Sequence, residues 1–70
     1  MKVKINQIKL AILMVKADMN VEQLHIKCGI GMGTLSKIRM GGKCKLETAV
    51  KIANALGVEV TDLLEDREEG

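Results

Sequence analysis

Five of the chain's eleven Lys and Arg residues, Lys27, Lys37, Arg39, Lys43 and Lys45, fall between positions 27 and 45, with Met32 and the hydroxyls of Thr34 and Ser36 among them. Ammonium and guanidinium groups make charge-assisted hydrogen bonds to phosphate oxygens, and hydroxyls can donate or accept, so this set suits a polyanionic partner. Catalytic chemistry is poorly furnished by comparison. His25 and Cys28 lie three apart and Cys44 follows later, but a zinc site would need a fourth ligand. Packed free thiols and a partly buried histidine are expected instead. With one histidine, no nucleophile beside a base and no glycine-rich phosphate loop after a strand, neither an enzyme nor a metal or cofactor site is expected.

The elements that would position these residues centre on Asn20 to Arg39, NVEQLHIKCGIGMGTLSKIR. Asn20 is a good N-cap, and Leu24 with Cys28 sets helical spacing, so the pattern predicts a helix over 21–28. Gly29 can take the left-handed conformation that ends a helix, and the apolar Ile30 can seal the turn. Leu35 and Ile38, at i and i+3, turn one face of a second helix over about 31–40 inward. Gly31, Met32, Gly33, Ser36, Lys37 and Arg39 then face outward or flank that contact. Two short helices joined by a glycine-containing turn make a helix-turn-helix.

This run, followed by LETAVKIANALGVEVTDLL from Leu46 to Leu64, resembles the Cro/CI-type (XRE-like) phage-repressor helix-turn-helix regulators. Leu24, Gly29, Ile30, Thr34, Leu35 and Ile38 match that family's packing and turn positions, as do Leu46, Ile52, Ala53, Leu56, Gly57, Val58, Leu63 and Leu64. The resemblance spans about residues 8 to 65. It implies a compact all-α, five-helix, lambda-repressor-like domain that binds double-stranded DNA and regulates transcription. It places base readers at Met32, Gly33, Ser36 and Lys37, and phosphate contacts near Val21, Gly31, Met40 and Lys43. The chain departs from the family at several points. Val21 stands where a backbone-contacting glutamine is common, His25 where alanine is preferred, and Lys45 where a capping residue is usual; Gly33 offers no side chain to a base.

Seventy residues suit one domain, divided as an arm at 1–5, a helix-turn-helix domain at 6–65 and an acidic, disordered tail at 66–70. Without Phe, Tyr or Trp the core must be aliphatic. Residues 1–46 carry a balance of +7 and residues 47–70 one of −5, which concentrates positive charge around the helix-turn-helix. Met1 to Ile5 alternates as an extended arm or a frayed start would. The first helix, from about Asn6, carries two apolar stripes on opposite sides, Leu10, Leu13, Met14 and Ala17 on one and Ile5, Ile8, Ile12 and Val15 on the other. One stripe should face the core. The other should be covered by a second copy of the chain, in preference to the arm folding back over its own helix. Met40 to Lys45 reads as a loop, Leu46 to Leu56 as a helix stopped by Gly57, and Val58 to about Glu65 as a short last helix.

The major groove admits one α-helix, and a helix-turn-helix sets its second helix there. Lys37 could donate to guanine O6 or N7, Thr34 reach a phosphate or base edge, and Met32 touch a thymine methyl. Lys27, Arg39, Lys43 and Lys45 suit phosphates, which position without reading sequence. A homodimer on an inverted-repeat operator, acting as a small repressor, is the expectation; the alternative is a protein-interaction module on the same fold that no longer reads bases. No apolar run is long enough to span a membrane and no signal peptide is evident, so a cytoplasmic location is expected.

Overall fold

In the computed structural model, residues 2–64 are described. They form β1 (Lys2–Lys4), α1 (Gln7–Lys16), α2 (Val21–Cys28), α3 (Met32–Arg39), β2 (Lys43–Lys45) and α4 (Leu46–Leu56), closed by a 3-10 turn at Val60–Asp62. The expectation of an all-α, five-helix domain is therefore corrected in two places. The arm and the 43–45 segment, read as extended-or-frayed and as loop, pair as a two-stranded antiparallel sheet. The segment after Gly57 makes only one 3-10 turn, because its end is pulled into extended contacts with the chain's start: the Asn6 amide donates to the Leu63 carbonyl at 2.8 Å, and Ile5 bridges to Leu64. The acidic tail at 66–70 lies outside the described residues.

The helices begin and end where local chemistry dictates. Asn6 caps α1 by accepting from the Lys9 amide at 2.9 Å. Asn20 and Gln23 close a capping box on α2, each side chain bonded to the other's backbone amide at 2.8 and 2.9 Å. Gly29 and Gly57 end α2 and α4 in the left-handed conformation, at φ 75° and 74°. Lys45 precedes α4 with extended backbone and no side-chain cap, as its type requires.

Ile5, Leu10, Leu24, Leu35, Ile38, Ile52 and Leu63 are the largest fully buried side chains, and Met19 plugs the edge of this aliphatic core from the α1–α2 link. Burying each contributes on the order of 1.5 to 3 kcal/mol. Of the two α1 stripes, the one with Leu10 and Met14 faces the core. Ile5 leaves the other stripe: it precedes the Asn6 cap, so helical spacing does not govern it, and it is 0% exposed. Ile8, Ile12 and Val15 remain 71%, 48% and 78% exposed, because the arm runs to β2 instead of across them. Cys28 and Cys44 are free thiols, and burial pushes the Cys44 thiol above its ordinary pKa. Among the described residues no helix is long and apolar enough to cross a membrane.

Candidate nucleic-acid interface

The α2–α3 turn is only Gly29, Ile30 and Gly31. Gly29 makes the reversal through its positive φ, and its amide donates to the His25 carbonyl at 3.0 Å. Ile30 drops into the core. The ring of His25 adds a second tie, its Nδ1–H donating to the Ile30 carbonyl at 2.6 Å. A carbonyl has no proton to give, so the proton must sit on Nδ1. Gly31 is the N-cap of α3, outside the helix in which the spacing had placed it, and there glycine costs only a few tenths of a kcal/mol.

Leu35 and Ile38 anchor α3. Their burial leaves Met32, Gly33, Thr34, Ser36, Lys37 and Arg39 exposed along one continuous outer surface, with Gly31 exposed at its start. A Cβ built on Gly31 or Gly33 would meet no atom within 4 Å, so no packing constraint inside the domain demands glycine at either place. Lys27 is exposed in the last turn of α2, Met40 at the end of α3, and Lys43 on β2. Val21 is half-buried against the core, so its side chain packs inward. Arg39 is the last residue of α3. It borders an open groove shared with Gln7 of α1 and with Asn20 and Val21 at the start of α2.

Beyond its local turn bonds, the carboxyl end of α3 is held from α1 and from the start of the β2 segment. Gln7 Nε2 donates to the Arg39 carbonyl at 2.9 Å, and the Gly42 amide donates to the Lys37 carbonyl at 2.8 Å. A Cβ on Gly42 would stand 2.9 Å from that same oxygen, closer than carbon tolerates, so glycine is needed for β2 to leave α3 this tightly. The strand pairing then adds two cations from outside the helix-turn-helix: Lys2 stands opposite Lys45 and Lys4 opposite Lys43. The K-V-K-I and K-C-K alternations were the available signal, but nothing local said that they pair.

Two short helices in contact, a glycine turn and an outward polar and basic second helix define a helix-turn-helix domain. The chain matches the family model of the Cro/C1-type HTH DNA-binding domain over residues 9–69, and it belongs to that family. No curated protein matches the chain significantly. Among solved structures, a point variant of a hydroxyethylphosphonate dioxygenase is similar, with a TM-score of 0.81 and 24% identity over 94% of this chain. The match spans only 14% of that protein, and at this identity it shows a shared fold alone.

Proposed function

We propose that this domain acts as a small transcriptional repressor, a homodimer that binds an inverted-repeat operator and sets α3 of each copy into the major groove. The observation that carries the reading is the division of α3: Leu35 and Ile38 are spent on the core, and every other residue of the helix is exposed. A helix so divided is held by one edge and free to enter a groove about 12 Å wide. Lys37 is the reader of guanine O6 or N7, Ser36 and Thr34 offer hydroxyls to base edges or phosphates, and Met32 meets a thymine methyl. Gly33 brings backbone close to the bases with no side chain between, and the Gly31 backbone, with Lys27, Arg39 and Lys43, engages phosphates. The role is one of binding, without catalysis, on DNA in the cytoplasm.

Dimerisation is supported by Ile8, Ile12 and Val15, an apolar stripe on the exposed side of α1. With few side chains available for direct readout, the two-fold repetition of a half-site and DNA shape supply the remaining selectivity. Selection of bound duplexes from a random library at near-physiological salt tests the reading. An enriched inverted repeat is expected, its spacing giving the separation of the two recognition helices. Weak binding with no enriched sequence would overturn it in favour of an interaction module that has lost base reading.

A further inference from the structure

Directly opposed residues of an antiparallel pair project from the same face. In the β1–β2 ribbon, Val3 opposite Cys44 is the inward pair, half-buried and buried, while Lys2 opposite Lys45 and Lys4 opposite Lys43 are exposed. The outer face is thus made of four lysines. Like charges placed directly opposite one another destabilise a pair, and a two-stranded ribbon has little stability to spare. Lysine does protect sheet edges from unwanted pairing, but a mixture of signs would serve that end without the repulsion.

The position of the ribbon gives this positive face a use. It is fastened to the carboxyl end of α3 by the Gly42 amide on the Lys37 carbonyl, and to α3 through α1 by the Gln7 side chain on the Arg39 carbonyl. The ribbon backbone is therefore held beside the carboxyl end of α3. The two lysine pairs are separated by two residues, about 7 Å along a strand, a spacing that long side chains can fit to successive phosphates of one DNA strand. Flexible ammonium groups at that spacing suit a row of phosphates.

We propose that the four-lysine face of the β1–β2 ribbon is a docking surface for the DNA phosphate backbone beside the half-site, adding affinity without reading sequence. The inference rests on the DNA-binding reading above and extends it from Lys43 to the amino-terminal strand. Strand pairing, and not the helix-turn-helix itself, brings Lys2 and Lys4 to this surface.

The test is the salt dependence of affinity for a mixed-sequence duplex that extends past the bound site, measured by fluorescence anisotropy on the full chain and on a Lys2→Gln/Lys45→Gln double variant. Each phosphate contact contributes about 0.9 to the slope of log affinity against log salt, so the variant should lose up to about 2. Its preference among half-sites should be unchanged. Its unfolding midpoint in low salt should equal or exceed that of the wild type, since an opposed like-charge pair has been removed. A Lys2→Arg/Lys45→Arg variant should retain the wild-type slope. A folded Gln variant with the wild-type slope would overturn the ribbon proposal alone. A wild type whose binding does not depend on salt would instead sink the DNA reading beneath it.

Discussion

His25 donates from Nδ1 to the carbonyl of Ile30 across the helix-turn-helix turn at 2.6 Å, tying the last turn of α2 to the entry of α3. That turn has glycine on both sides of Ile30, and α3 begins without a side-chain cap. The imidazole thus supplies a restraint that the backbone there lacks. It also accounts for a histidine at a position where the resemblance implies alanine.

Replacing His25 with Leu removes the donor and leaves a partly buried carbonyl unpaired, which should cost about 1 to 3 kcal/mol in urea unfolding. His25→Asn, whose side-chain amide can stand where Nδ1 stood, should recover much of the loss. A Leu variant as stable as the wild type would show that the bond does not hold the turn.

Lys37→Ala should flatten preference at one base pair of each half-site, since a good base contact discriminates by about 1 to 3 kcal/mol. Lys37 is exposed, so the fold should be undisturbed. Competition binding with singly substituted duplexes reads the effect, and unchanged selectivity would remove Lys37 from the reading set.

Ile12→Glu places a charge in the middle of the exposed α1 stripe, between Ile8 and Val15. Sedimentation should show a folded monomer, with helical circular dichroism unchanged and an unfolding midpoint that no longer depends on protein concentration. An intact dimer would place the subunit contact elsewhere.

Cys44 gives a pH prediction. Burial raises the pKa of its folded thiol above the unfolded value. The stability contributed by the neutral buried thiol is therefore complete below the unfolded pKa and is lost as pH rises through the folded one. As pH rises past the ordinary thiol value of about 8.5, the wild type should lose stability faster than Cys44→Ala. Parallel stability curves in alkali would contradict this.

Sequence alone determined the parts whose causes are local. α2 and α4 run over 21–28 and 46–56 as their caps and periodicity predict, and Gly29 and Gly57 end them with positive φ. Within α3, Leu35 and Ile38 specify the inward side, so the outward set followed once the helix was recognised. The two strands were not legible in this way. Each is three residues long, too short to be stable unpaired, and the partners in the pair Lys2 and Lys45 stand at opposite ends of the helix-turn-helix segment. Only the packed helices bring them together. The same closure decided that Ile5 belongs to the core and that the last segment stops after one 3-10 turn: Asn6 bonds to Leu63 and Ile5 bridges to Leu64, contacts between the two ends of the fold that no local spacing encodes.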